Sequence, residues 1–176
     1  ILDRFFKTGK YYRSKLRKTL SPSMDILISS NFERYLYDLA GKSSKKLIFW
    51  MKNFENKGVL NIEKNLLKIA QKDFLSASAD DLEVISIIQK YYKKFKYILD
   101  PHTAVGIYVA EKLKLERPTI CLACAHPAKF DDTIQNIIEF RPNIPKELSD
   151  LNDLETKFET VLSDEKIIKQ IILKHL

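Results

Sequence analysis

Pro118-Thr119-Ile120-Cys121-Leu122-Ala123-Cys124, closed by Ala125-His126-Pro127, is the stretch that decides the fold. It is apolar on nearly every residue and bounded by prolines, the pattern of a strand buried on both faces rather than on one. Helical periodicities stand on either side of it. A lone strand cannot satisfy its own backbone groups, so the segment is expected to complete a sheet whose other strands lie elsewhere. The reading is a helix-rich α/β fold with an incomplete sheet.

Working outward, a helix is predicted from about Pro127 to Glu139, proline being welcome in a first turn. Before the strand, Asp100-Pro101 breaks the chain, and Val105, Tyr108, Val109 and Leu113 mark a helix from His102 to about Lys114. Ser78-Ala79-Asp80-Asp81 reads as a cap opening a helix through Lys94 that carries Leu82, Ile85, Ile88, Gln89 and Tyr92. Further upstream, Ser30-Asn31-Phe32-Glu33 has the spacing of a capping box, followed by Phe32, Tyr35, Leu36 and Leu39 and stopped by Gly41. Ser44 to Lys57 and Glu63 to Phe74 read as helices, joined by a connection over Val59 to Ile62. Arg141 to Leu154, with Pro142 and Pro145, is predicted to be a surface connection, and a last helix starts near Ser163-Asp164.

The chain has 176 residues and is 45% hydrophobic, enough for one ordinary domain with a core. A charged fraction of 30% together with 11% aromatics argues for a soluble globular protein and against disorder. No run of about 18 apolar residues is present to form a membrane-spanning helix. Two cysteines do not make a disulfide framework, and a cytoplasmic location is the natural expectation. The first residue is not Met and there are only four glycines, few for an enzyme that cradles a phosphate in a Gly-rich loop. A start within a longer protein, with a missing upstream part, is therefore expected.

A net charge of +7 invites a nucleic-acid or anionic-membrane reading. Most lysines are interleaved with apolar helix positions, as on solvated helix faces. The concentrated stretch is Arg4 to Lys18, which has no helix-turn-helix or RNA-binding signature. A basic helical nucleic-acid or protein interaction module stands as the alternative function. Cys121-x-x-Cys124 suggests a thiol or zinc site, but residues three apart on a strand face opposite ways, and no second ligand pair has metal-site spacing.

Three polar elbows could carry chemistry. In the first, Thr19 to Arg34, a loop leads through Ile26-Leu27-Ile28 to a helix start, where backbone N–H groups suit a phosphate or carboxylate. Ser29, Ser30 and Asn31 could add donors and Arg34 a bidentate charge; the plain alternative is an ordinary cap with Arg34 paired to Glu33 or Asp38. The second is Asp100-Pro101-His102-Thr103-Ala104-Val105-Gly106, where a glycine inside a helix suggests close approach of something. His102 there reads as a capping or satisfied loop histidine rather than a base. The third is the exit of the strand, Cys124 to His126, since α/β proteins place ligands at such carboxyl edges.

Thr-Leu-Ser-Pro-Ser-Met-Asp-Ile-x-x-Ser-Ser-Asn-Phe-Glu-Arg (19–34), Leu-Asp-Pro-His-Thr-Ala-Val-Gly (99–106) and Ala-x-Ala-His-Pro-Ala-Lys-Phe (123–130) together resemble the threonine synthase family. Phe5-Phe6-Lys7-Thr8-Gly9 and Arg141-Pro142 extend the similarity, which covers nearly the whole chain and is weak between Lys42 and Lys96. The resemblance implies the carboxy-terminal portion of a fold-type II enzyme of the tryptophan synthase beta kind. It implies pyridoxal 5'-phosphate as cofactor and conversion of O-phospho-L-homoserine and water to L-threonine and phosphate.

Carried over by position, Ser29, Ser30, Asn31 and Arg34 would contact the substrate phosphate, Cys124 would face the pyridine nitrogen of the cofactor, and His102, Thr103 and His126 would shape the pocket. Cys124 stands where the family has threonine, and a thiol is the weaker hydrogen-bond partner. The family's Schiff-base lysine and phosphate loop lie upstream of the matched region, and by position Lys129 is not that lysine. Residues 1–176 are thus expected to be a single carboxy-terminal region without the lysine-bearing part. Such a chain would not catalyse alone and could pair with a separate upstream threonine synthase polypeptide.

Overall fold

The computed structural model describes residues 1–115 and 118–176, which pack as two compact units, 1–143 and 144–176. In the first unit the chain opens with helix α1 (Leu2–Thr8), strand β1 (Lys10–Tyr12), α2 (Phe32–Leu39), α3 (Ser44–Lys57), strand β2 (Val59–Asn61) and α4 (Lys64–Asp73). It continues with α5 (Asp81–Phe95), α6 (Pro101–Leu113), a 3-10 turn (Pro127–Phe130) and α7 (Asp131–Ile138). The second unit holds 3-10 turns at Lys146–Leu148 and Leu151–Asp153 and helix α8 (Glu165–Lys174), opened by the Asp164 carboxylate accepting the N–H groups of Lys166 and Ile167.

Two hydrophobic clusters build the first unit. In one, α1 to α4 surround an aromatic set: Phe5 is fully buried, edge-on to Phe6, Tyr11 and Phe32, with Leu36, Trp50, Phe54 and Leu60 closing around it. Edge-to-face rings fill volume while placing positive ring edges on negative faces. In the other, α5, α6 and α7 bury Val84, Ile87, Ile88, Leu99, Ala104, Ile107 and Ile134. Two long-range bonds link the clusters: the Ser76 hydroxyl donates to Asp3 at 2.9 Å, and the Leu20 N–H donates to Asp81 at 3.0 Å.

The sheet differs from the expectation. β1 and β2 pair antiparallel, Tyr11 opposite Leu60, where the sequence had suggested only a connection over Val59 to Ile62. Gly9 sets up the pairing: at φ +71 it takes the left-handed turn that a side chain resists, and its carbonyl accepts the Ile62 N–H. Pro118 to Cys124, expected to be the buried strand, is neither helix nor strand, and Ile120 and Leu122 are 89% and 79% exposed. A strand is held by its neighbours' ladder, and among the described residues none lies beside it. The helix-rich α/β character stands, with the sheet reduced to two short strands.

On α5 the buried residues are Val84, Ile87 and Ile88, while Leu82 is 77% exposed; on α6 they are Pro101, His102, Thr103, Ala104 and Ile107, with Val105 and Tyr108 partly buried against the same cluster. The capping box sits at Asp80 and Glu83, each side chain accepting the other's backbone N–H at 2.9 and 2.7 Å, two residues beyond the predicted start. The predicted helix from Pro127 divides into a 3-10 turn and α7.

Candidate functional site

The first elbow is shaped by its own polar groups. Asp25 closes the loop by accepting the N–H and hydroxyl of Thr19 at 2.7 and 2.8 Å. The chain then passes Tyr11, whose phenol oxygen accepts the Ser29 N–H at 2.6 Å. No capping box forms at Ser30 and Glu33. Asn31 takes the cap position without a side-chain bond, because Phe32, Glu33 and Arg34 give their N–H groups to the carbonyls of Ser29, Ser30 and Asn31. The Ser30 hydroxyl, the Asn31 amide and the Arg34 guanidinium consequently have no hydrogen-bond partner among the described residues, and Arg34 pairs with neither Glu33 nor Asp38. All three residues are exposed.

Ser29 and Ser30 border a hollow of about 100 Å³ with Tyr11 and Met51; Ser30 and Arg34 border another of about 490 Å³ with Tyr37 and Leu47. One turn along α2, burial, then the hydrogen bond and charge of Asp73, push the Tyr35 phenol up to about 12.

The second and third elbows are stitched together. Asp100, 2% exposed, caps α6 through one carboxylate oxygen that accepts the N–H groups of His102 and Thr103 at 2.9 and 3.1 Å. Its other oxygen accepts the Thr103 hydroxyl. That hydroxyl in turn accepts the Cys124 N–H at 2.9 Å, joining residues 21 apart in sequence. His102 is 8% exposed, lies edge-on to Phe130 with ring centroids 4.9 Å apart, and has both ring nitrogens buried without a partner. Buried imidazole nitrogens are ordinarily satisfied, so this corner has unused hydrogen-bonding capacity.

His126, exposed, accepts the Ala128 N–H through Nδ1 at 3.2 Å and so caps the 3-10 turn. Cys121 and Cys124 are free and exposed; the Cys124 thiol reaches only the Leu122 carbonyl, at 3.5 Å. Among the described residues, no group of three or more His, Cys, Asp or Glu side chains is placed to hold a metal ion. No helix among them is long and apolar enough to cross a membrane.

The structure thus brings Asp100, His102, Thr103 and Cys124 together. The hollows at Ser29, Ser30 and Arg34 are not lined by any of these. The start of the first elbow does approach α6: Thr19, Ser21, Asp25, Asp81 and Val105 border a hollow of about 380 Å³. Outside its chain neighbours and its own helix backbone, Gly106 has no heavy atom within 4 Å of where a Cβ would stand, so nothing else among the described residues makes the close approach its presence suggested. Sequence reasoning missed Tyr11 and Asp100 as organisers. Asp100 had a local signal, an Asp before proline at a helix start; Tyr11 had none, since its partner is 18 residues away.

A family model described as threonine synthase, C-terminal, matches residues 103–172. Threonine synthase of Schizosaccharomyces pombe is 41% identical over 160 residues, covering 76% of this chain and 31% of that protein. Threonine synthase of Saccharomyces cerevisiae is 37% identical over 203 residues, covering 100% of this chain and 40% of that protein. The crystal structure of PLP-bound threonine synthase from Brucella melitensis superposes with a TM-score of 0.87 at 32% identity, covering 99% of this chain and 38% of that one. The yeast threonine synthase structure gives 0.82 at 36% identity, covering 98% and 39%. The chain therefore spans about two fifths of the length of such relatives. By sequence and by fold, it is similar to the carboxy-terminal part of threonine synthases.

Proposed function

We propose that the chain forms the carboxy-terminal part of a threonine synthase, which converts O-phospho-L-homoserine and water to L-threonine and phosphate. In this reading it supplies contacts to the substrate phosphate and to one edge of pyridoxal phosphate, and does not catalyse alone. The carrying observation is the unengaged donor set at the start of α2. The Ser30 hydroxyl, the Asn31 amide and the Arg34 guanidinium stand together on an exposed turn with no protein acceptor. A guanidinium meets two phosphate oxygens in a bidentate fork, and the dipole of α2 favours the same anion. Ser29 is the fourth member, its backbone held by Tyr11.

The residues present fit the ring-nitrogen edge of the cofactor. The Cys124 thiol is exposed and its backbone anchored, and the orphaned nitrogens of His102 mark a polar wall nearby in the same elbow pair. They do not make a phosphate loop, since the glycines at 9, 41, 58 and 106 are widely separated. When bound, pyridoxal phosphate supplies the electron sink that elimination and water addition require. The chain's own share is to bind and orient: Arg34, Ser30 and Asn31 hold the leaving phosphate, Cys124 donates toward the pyridine nitrogen, and His102, Thr103 and His126 bound the pocket. The lysine that holds the cofactor covalently, and its phosphate loop, are assigned to the part of a threonine synthase that lies upstream of the matched region, in the same protein or in a separate polypeptide. Two free thiols suit a cytoplasmic setting.

Titration of the chain with inorganic phosphate, followed by amide NMR, tests the phosphate contact. Shifts centred on Ser30, Asn31 and Arg34, lost in Arg34→Gln, are expected. Shifts spread over the Arg13 to Lys18 stretch and indifferent to Arg34→Gln would favour the basic interaction module instead.

A further inference from the structure

We propose that Thr103 is a positioning residue for Cys124, holding that residue's backbone through a hydroxyl whose own proton is committed to Asp100. The inference rests on the reading of Cys124 as the group facing the cofactor ring.

Residues 118–125 carry no helix or ladder, so regular secondary structure does not fix where Cys124 stands. A hydrogen bond from α6 does. The direction of that bond is set by chemistry rather than by chance rotation. A threonine hydroxyl has one proton and two lone pairs. Asp100, an acceptor-only carboxylate when ionised, takes the proton, which leaves lone pairs facing the Cys124 N–H at 2.9 Å. The same carboxylate holds the first turn of α6 through the N–H groups of His102 and Thr103, so hydroxyl and helix are oriented by one group.

Asp100 and Thr103 are 2% and 5% exposed, which keeps water from competing for the bond between them. Donation to a buried carboxylate also polarises the hydroxyl oxygen and makes it the better acceptor. The thiol itself is left outside the chain of bonds, exposed and touching only the Leu122 carbonyl. Backbone anchored and side chain free is the arrangement a residue needs if it is to meet a ligand at a fixed height. No reacting atom is touched by Thr103, which acts through Cys124.

Amide hydrogen exchange on the full chain, read by NMR, tests the relay. Thr103→Val keeps shape but lacks the hydroxyl; it is expected to speed exchange of the Cys124 amide about tenfold while amides in the interior of α6 stay slow. Thr103→Ser, which keeps the hydroxyl, is expected to retain the slow rate. An unchanged Cys124 rate in Thr103→Val with α6 intact would overturn the proposal. If Thr103→Val loosens α6 as well, Thr103→Ser decides: a fast Cys124 amide beside slow α6 amides overturns the relay, and a slow one supports it. No cofactor enters the measurement, so the relay can hold while the cofactor reading fails. The latter is read separately, in an enzyme completed with the rest of a threonine synthase. There Cys124→Thr is expected to raise kcat, and no change would count against the cofactor contact alone.

Discussion

Replacing Asp100 by alanine removes one buried carboxylate and orphans three donors together: the N–H groups of His102 and Thr103 and the Thr103 hydroxyl. Loss of a helix cap costs about 1 kcal/mol, and as much as about 2 where the cap is well made. A buried donor left without an acceptor adds about 1–3 kcal/mol. The hydroxyl can turn and the two N–H groups share one oxygen, so the sum falls at about 2–4 kcal/mol. That is a large part of the stability of a domain this size, which is about 5–15 kcal/mol.

Asparagine at the same position separates the contributions. Its carbonyl oxygen can still cap the helix, but its amide cannot accept the Thr103 proton, so Asp100→Asn should lose about 1 kcal/mol. Urea unfolding of the full chain, followed by far-ultraviolet circular dichroism, measures both. Equal losses for the two variants would show that the cap is not made as described. A loss below about 0.5 kcal/mol for alanine would refute the burial argument altogether.

Two glycines should respond oppositely to alanine. Gly9→Ala is expected to destabilise by about 1–3 kcal/mol, because φ is +71 and the new Cβ would stand 3.2 Å from Ile62. Gly106→Ala, in mid-helix with open space around it, should stabilise by about 0.5–1 kcal/mol; urea midpoints check both. Tyr35 gives a pH signature. Its folded-state pKa is raised to about 12 by burial and by Asp73, so its contribution is complete below about pH 10 and is lost as pH rises through about 12. Tyr35→Phe should show a smaller fall in urea midpoint over that alkaline window than the unaltered chain does.

Helices with capped ends or one-sided apolar stripes were legible from the residues: α3 runs from Ser44 to Lys57, the bounds expected from the sequence. α5 and α6 were legible as helices, but which of their residues are most deeply buried was not. Both carry apolar residues around most of their circumference, so periodicity alone could not choose the stripe that faces Ile134 of α7. β1 and β2 are three residues each, too short to alternate, and their pairing depends on Gly9 meeting Ile62, a contact across 53 positions that no local pattern encodes. The apolar run at 118–124 was read as a strand on good local grounds, and its ladder partners are not among the described residues.

Of the site, residue types at helix starts were visible in advance. The bond between Thr103 and Cys124 was not, because it is made by folding two elbows 21 residues apart against each other. The opening of α2 shows the converse: Ser30 and Glu33 have a capping-box spacing, yet 3-10 backbone bonds satisfy the donors first and leave the side chains free.

The claim that matters most is that this chain can serve as the carboxy-terminal part of a working threonine synthase. Replacing the matching span of the Saccharomyces cerevisiae enzyme with residues 1–176 and measuring phosphate and threonine formed from O-phospho-L-homoserine tests it directly. Turnover by the chimera, no turnover by the chain alone, and a raised KM for Arg34→Gln with kcat much less affected are expected. A folded chimera that binds pyridoxal phosphate yet forms no product, or one whose KM ignores Arg34→Gln, would contradict it.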